Sequence, residues 1–486
     1  MKKIIISVIL ALALLLPCLA SCSSIGGSGD GSTADGTSDG PSDNNNNGSG
    51  SNTPALPVGN PSSIGEEADE SSTLPTISII TDSGEMITTK EYMTANVSAS
   101  GSTLPECNFE KLAAQVKCRG NHTFQSTEKK SYRVKFDKKI NLFNQGRGEA
   151  KSWVLMAEHC DQSFLRNHIA MTLATRLDKI AYSASSSFVH LYVNGKYQGI
   201  YRLTEQHQVQ ENRVVINEDP DVVDTDYFVE WDAYASEDGN VKGLNYFTCD
   251  GNMFLVKSDY MTEEKCEFLD NYFTEAYEAI KSGVQKDVVK YIDVDSFVDM
   301  YILQEFAKNI DVGWSSFFMV KKAGGKISCT CPWDFDLSFG NDGRLDEGGF
   351  ENLYVGNSEY AFGWNSLDQG NEWFCYLMRS KWFVNKVITR WNQVKGDMLE
   401  LAVNEATRIY TCFGDEIEKN FTVWKIFGQK INQEPRHIRA MTTYSEHAEY
   451  FIQWIKGRYE WMSEYFSDPS TKYKTTEYKE PTWRPW

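Results

Sequence analysis

The chain has 486 residues and a formal net charge of −19. So large an excess of acid argues against nucleic acid as a partner, and any anionic ligand has to be met by local positive groups or by metal. With 41% hydrophobic and 13% aromatic residues there is ample material for a core, and the length exceeds one small domain, so two lobes are expected.

Lys2-Lys3, an apolar run from Ile4 to Leu16, and Leu19-Ala20-Ser21-Cys22 have the form of a bacterial export signal. The run is too short for a stable transmembrane helix. Leu-Ala-Ser-Cys resembles the lipobox of bacterial lipoproteins. That resemblance makes residues 1–22 a lipoprotein signal peptide, Cys22 the lipidation site, and the outer face of the cell membrane the location. Residues 23–74 are Gly, Ser, Asn, Asp, Thr and Pro with almost no large apolar side chain. Such a segment cannot bury enough surface to offset its ordering entropy, and it reads as a flexible tether.

Folded structure is expected over residues 75–468, with a tail at 469–486. Thr76 to Thr81 reads as a strand, as does Ala114 to Cys118, which runs into Arg119-Gly120-Asn121-His122-Thr123. Ser131 to Phe136 alternates, with Tyr132, Val134 and Phe136 on one face and Arg133 and Lys135 on the other. After a strand from Trp153 to Ala157, Asp161 is placed to cap a helix through Leu177 with Phe164, Leu165, Ile169 and Leu173 as its stripe. Phe188 to Val193, Asn194-Gly195 and Tyr197 to Leu203 predict a hairpin with a type I′ turn. An antiparallel sheet with one inserted helix is thus expected for an N-lobe of about residues 75–210.

In the C-lobe, about residues 211–468, the pattern turns helical from Thr262. Helices are expected over Glu263–Ser282 and Asp295–Asn309, and at about 371–397, 400–418 and 442–466. Between them a hairpin, Phe317 to Lys321 and a second strand, leads to Trp333-Asp334-Phe335-Asp336. Nine of the 11 cysteines lie beyond Cys22. An odd count cannot pair fully within one chain. Most read as buried thiols, with Cys107–Cys118 a candidate disulfide. Cys329 and Cys331 are expected to share a strand face, with no second pair to complete a zinc site.

A carboxylate that ends a helix, a hairpin, and two carboxylates just past it repeat the arrangement of protein kinases. There one Asp accepts the acceptor's proton and another holds magnesium on the nucleotide phosphates. The bland alternative is a solvated acidic loop. The apolar neighbours Trp333, Phe335, Leu337 and Phe339 speak against it, since buried unpaired charge is costly and a cation offsets that cost.

Taken in order, these segments resemble the CotH kinase family. The resemblance rests on Arg119-Gly120-Asn121-His122-Thr123, Lys129-Lys130-Ser131-Tyr132-Arg133-Val134-Lys135-Phe136, Trp153-Val154-Leu155 and Leu165-Arg166-Asn167. It continues through Tyr192-Val193-Asn194-Gly195-Lys196-Tyr197-Gln198-Gly199-Ile200-Tyr201, Asn309-Ile310-Asp311 and Pro332-Trp333-Asp334-Phe335-Asp336. It implies an α+β, bilobal, atypical protein-kinase-like fold, with a β-rich N-lobe holding one helix and an α-rich C-lobe. It also implies transfer of phosphate from ATP, with Mg2+ or Mn2+, to Ser or Thr of an exported protein.

By the same resemblance Asp311 is the catalytic Asp, Asp334 and Asp336 are metal ligands, and Lys135 pairs with the α/β-phosphates from an inner strand face. Lys129 and Lys130 compete for that last role. Arg119 and Asn121 contact phosphate, and Glu205 sits where a hinge meets adenine, unless it is an exposed loop residue. Kinases place an Asn after the catalytic Asp for the second metal; at that spacing this chain has the weaker ligand Ser316. Two other functions stay open: a surface binding or structural module without catalysis, favoured by the scarcity of ATP outside the cytoplasm, and another nucleotide-dependent transfer on the same fold.

Overall fold

The computed structural model describes residues 74–102, 104–142, 148–344, 346–357 and 371–467. The signal sequence with Cys22, the tether up to residue 73 and the tail 469–486 lie outside the described residues.

Seven strands close into a barrel: β1 Thr76–Thr81, β2 Met93–Ser100, β3 Phe109–Arg119, β4 Ser131–Ile140, β5 Ala150–Met156, β6 Ser186–Val193 and β7 Lys196–Glu205. Their order is β1-β2-β3-β4-β5-β7-β6, and β1 closes the ring by pairing parallel with β6. The sequence led us to expect a simple antiparallel sheet; closure removes its edges. Alternation fixes the faces. Tyr132, Val134 and Phe136 point into the barrel core with Val97, Val116 and Leu191, while Arg133 and Lys135 face outward. The expected hairpin turn forms, with Asn194 and Gly195 at φ 50° and 75°.

Among the described residues the barrel section carries two α-helices, not one. α1 His122–Ser126 is a single short turn after β3, and α2 Arg166–Ala174 follows β5. Every residue of α2 is buried, so it has no solvent face to balance the expected apolar stripe. The Asp161 carboxylate does hold the helix start, accepting from the backbone N–H of Arg166 at 2.9 Å and of Ser163 at 3.0 Å.

The second half is not a bundle with a lone hairpin. β8 Tyr227–Trp231, β9 Tyr246–Cys249 and β10 Asn252–Val256 join β11 Phe317–Lys321 and β12 Ile327–Thr330 in one sheet of order β12-β11-β8-β10-β9. Around it pack α3 Glu263–Ser282, α4 Gln285–Tyr291, α5 Val294–Ala307, α6 Glu372–Met378, α7 Lys381–Val423, α8 Arg436–Arg439 and α9 Tyr444–Tyr465. Thr262 caps α3 and left-handed Gly283 ends it. The helices expected at 371–397 and 400–418 are divided elsewhere: the chain breaks at Arg379-Ser380 and then runs unbroken through Gly396 for 43 residues. A mid-helix Gly costs only about 1 kcal/mol relative to Ala. Val387, Trp391, Val394, Met398, Ala402 and Ile409 keep burying one face across it, and that burial wins.

α7 ties the two halves together. Asn420 Oδ1 accepts from the Ile200 backbone N–H at 3.2 Å and from the buried Lys129 Nζ at 2.9 Å. Gly199 (φ 90°) lets the strand approach this close, since a Cβ there would lie 2.4 Å from Asn420 Oδ1. Further along α7, Glu405 accepts from Arg408 at 2.7 and 2.8 Å and meets His168 Nε2 of α2 at 2.7 Å. Burial alone would lift the Glu405 carboxyl, but the Arg408 and His168 hydrogen bonds more than reverse this and hold it below its ordinary value of 4.5. A carboxylate that binds protons less readily folded than unfolded stabilises the fold above its unfolded value; that stability drains as pH falls toward the folded value. Glu405→Gln should therefore be less stable at neutral pH by on the order of 1–3 kcal/mol. Urea midpoints taken from about pH 7 to about pH 3 should show that gap narrowing below the ordinary carboxylate range. A gap that stays constant removes Glu405 from the acid response.

The candidate disulfide is absent. Cys107 and Cys118 are buried thiols not joined to each other, and they donate to different carbonyls, Asn141 O at 3.9 Å and Ile87 O at 3.3 Å. Cys329 and Cys331 do not share a face either: β12 ends between them, Cys331 turns to φ 49°, and each thiol joins a different apolar cluster.

Candidate functional site

A cleft of about 470 Å³ opens between the barrel rim and the second sheet. Arg119, Asn121 and Arg133 line its barrel wall; Asp311, Ser316, Asp334 and Asp336 line the opposite wall. Six of the eight candidate nucleotide, metal and catalytic residues thus meet in one place. Lys135 and Glu205 do not line it.

The acidic wall is held by one buried amide. α5 ends at Lys308 in a left-handed cap (φ 49°), and Asn309 follows. Asn309 Nδ2 donates to Gln304 Oε1 at 2.9 Å and to the Asp334 carbonyl at 3.3 Å, while its Oδ1 accepts from the Asp311 N–H at 3.2 Å. Asn309 therefore fixes the Asp311 turn and the Asp334 segment to the same helix end. Behind Asp334, the Phe335 N–H donates to Asn167 Oδ1 at 2.8 Å, and Asn167 Nδ2 donates to Glu158 at 3.0 Å. Glu158 in turn is held by Arg202 Nε at 2.5 Å. Ser316 and Asp334 adopt φ 62° and 67°, a conformation uncommon for residues with a side chain, and Ser316 Oγ donates to Asp334 Oδ2 at 3.4 Å.

The carboxylates crowd one another. Burial pushes Asp311 up to about 7, with Asp334 and Asp342 adding to the shift and Arg344 opposing it. Its side chain keeps 26% exposure, and that exposure opens to the cleft, so a solute can reach it. Asp336 is pushed well above the carboxylate range by burial, then by the charges of Asp334, Glu158 and Asp311, and it shares a hydrogen bond with Asp334. Deeper along the same wall, burial and then Glu230 push Asp232 up to about 7.

A divalent cation would relieve this repulsion. Among the described residues no set of three or more His, Cys, Asp and Glu side chains is arranged to enclose a metal. Magnesium needs no such cage, because it takes one or two carboxylates and fills the rest of its octahedron with water and phosphate oxygens. Asp334, Asp336 and Ser316 fit that demand.

The barrel wall is cationic. Arg119 donates to Met156 Sδ at 2.8 Å, lies 5.5 Å from the Trp333 ring centre, and its charge reaches Asp334. Asn121 Oδ1 accepts from Lys90 Nζ at 3.0 Å.

The lysine expected to meet phosphate is elsewhere. Lys135 projects from the outer face of β4, because Tyr132, Val134 and Phe136 claim the core side; Arg133 shares that outer face and lines the cleft, whereas Lys135, two residues further along the strand, does not. Neither competitor replaces it. Lys129 spends its donors on Ala157 O, Ile200 O and Asn420, and Lys130 donates to Phe124 O and Thr127 O.

Glu205 is neither a hinge contact nor an exposed loop residue. It is buried, accepts from Ser185 N–H at 2.9 Å and lies 3.8 Å from Arg213 Nε. The next two residues, Gln206 and His207, line the cleft instead. His207 packs 4.3 Å from the Trp333 ring, and burial drives its imidazole well below its ordinary value, so it is neutral.

Sequence reasoning missed Glu158, Asp232, His207 and Arg344, and saw Asn167 only as part of a motif. Each is a single polar residue whose role depends on a distant contact, and no local pattern marks it.

The fold and cleft define an α+β protein that faces a guanidinium wall with a carboxylate wall. Residues 116–462 match the model of the family described as CotH kinase protein, and the chain belongs to that family. The matched segment runs from β3 into α9 and contains both walls. The chain is also similar to the inner spore coat protein H of Bacillus subtilis (strain 168), 25% identical over 235 residues, or 48% of this chain. It spans 61% of that relative's length.

Proposed function

We propose that this protein is a kinase-like phosphotransferase, anchored by lipid at Cys22 on the extracytoplasmic face. It would use ATP with Mg2+ or Mn2+ to phosphorylate Ser or Thr of an exported protein. The observation that carries the reading is the convergence of Asp311 with Asp334, Asp336 and Ser316 across one cleft from Arg119 and Arg133. Family membership and the kinase arrangement of roles support it.

In this reading Asp334 and Asp336 hold the cation, with Ser316 as a neutral oxygen beside them. A cation held there would supply charge neutralisation for the nucleotide phosphates. Arg119 and Arg133 take the place of the phosphate-binding lysine, and Asn121 orients the phosphates. Asp311 orients the acceptor hydroxyl and takes its proton.

Purified protein with magnesium or manganese and ATP labelled at the α- or γ-phosphate is the direct test. Transfer of γ-label to protein hydroxyls supports the reading. Transfer of α-label reassigns the chemistry to nucleotidylation, and no transfer with either label points to a binding module. Anchoring has its own test. Cys22→Ala should move the protein from the membrane fraction to the soluble one, and a variant that still sediments with membrane in high salt overturns the lipid anchor.

A further inference from the structure

Arg344 lies in the loop beyond the acidic motif, at the acceptor end of the cleft. Asp342, whose side chain is 5% exposed, grips it from one edge: Nε lies 3.0 and 3.1 Å from the two carboxylate oxygens and Nη2 2.7 Å from one of them. The same Nη2 stands 3.6 Å from Asp311 Oδ1, too long for a hydrogen bond. Among the described residues Nη1 has no protein partner, and the side chain keeps 24% exposure into the cleft. A guanidinium needed only to neutralise Asp342 has no reason to lean toward the acceptor carboxylate with a donor open.

We propose that Arg344 is a catalytic residue, an arginine preorganised by Asp342 to hold the transferring phosphoryl group beside Asp311. The proposal rests on the phosphotransferase reading. In the step it serves, the acceptor oxygen attacks the γ-phosphorus and its proton passes to the Asp311 carboxylate. The bond from γ-phosphorus to the bridging oxygen breaks, and ADP leaves with that electron pair. Charge on the equatorial oxygens is then met by Arg344 on the acceptor side and by Arg119 on the nucleotide side, where a cation held by Asp334 and Asp336 would add to it. An arginine in this role contributes on the order of 10³-fold or more to transfer, and little to binding of ADP, which lacks the group it holds.

The test is calorimetry of magnesium–ADP with and without aluminium fluoride, which mimics the transferring group. Wild type should bind the fluoride complex more tightly than ADP. Arg344→Met should lose that tightening while keeping ADP affinity within about twofold, and its residual transfer should be raised by added guanidine. Should Arg344→Met fail to fold, Arg344→Lys carries the test, because it keeps the charge but not the two-edged geometry. Its tightening should fall while ADP binding holds. A wild type that discriminates beside variants that discriminate equally overturns the role of Arg344 and leaves the phosphotransferase reading standing. A wild type that binds both complexes alike overturns that reading, and the role of Arg344 with it.

Discussion

Asp334→Asn is expected to abolish phosphoryl transfer and to remove the dependence of ATP binding on magnesium. The reason is local. Asp334 is fixed on three sides, by Asn309 on its carbonyl, by Ser316 on its carboxylate and by a hydrogen bond shared with Asp336. Its carboxylate is therefore presented, not searching, and Asn in its place keeps the shape but loses the charge that attracts a cation. A metal acting on phosphoryl oxygens is worth several kcal/mol, which corresponds to a rate loss of about 10³-fold or more. Calorimetry with ATP, with and without magnesium, checks it. Wild type should bind ATP more tightly with the metal, and Asp334→Asn should bind equally in both conditions. A variant that still responds to magnesium like wild type shifts the metal site away from Asp334. The fold should survive, because Asn keeps the shape and the oxygen that Ser316 meets and relieves the repulsion with Asp336, while Arg119, which loses a counter-charge, is only partly buried.

The acidic wall was legible in the sequence for a reason that does not extend to the basic wall. Asp311, Ser316, Asp334 and Asp336 sit on a helix end and a hairpin exit, so short-range pattern places them near one another before any tertiary contact is known. The helix and the hairpin are both present where expected. The phosphate-binding residues are chosen by the face of a strand and by the position along it that reaches the cleft. Lys135 was read onto the inner face, but that face belongs to Tyr132, Val134 and Phe136; on the outward face it is Arg133, two residues earlier, that lines the cleft. Barrel closure was hidden because it depends on β1 returning to β6 in parallel, a long-range pairing without a local signature. β8 escaped notice because all of Tyr227–Trp231 is buried and shows no alternation. Arg344 lay in a loop with no periodicity at all.

Asp311→Asn should lower the transfer rate by about 10²–10⁴-fold, the usual worth of a positioned acid or base, while ATP affinity stays nearly unchanged. Asp311 lies on the turn after α5, tied through its backbone to Asn309 and flanked by Arg344. Its backbone shares Asn309 with the Asp334 segment, but its carboxylate faces Arg344 and not the cation-holding pair, so in the proposed reading it acts on the acceptor and not on the nucleotide. The two aspartate variants should thus part company in the calorimeter: both lose transfer, and only Asp334→Asn loses metal-assisted binding.

The pH profile sharpens the claim. Burial, aided by Asp334 and Asp342, lifts Asp311 to about 7. In the working complex a cation beside Asp334 would lower that value and the nucleotide phosphates would raise it. Transfer should therefore rise with pH along a single limb centred in the region of about 7, and Asp311→Asn should flatten it. Full activity in Asp311→Asn, or a limb that persists unchanged in that variant, moves the proton acceptor to another carboxylate, with Asp336 the next to test.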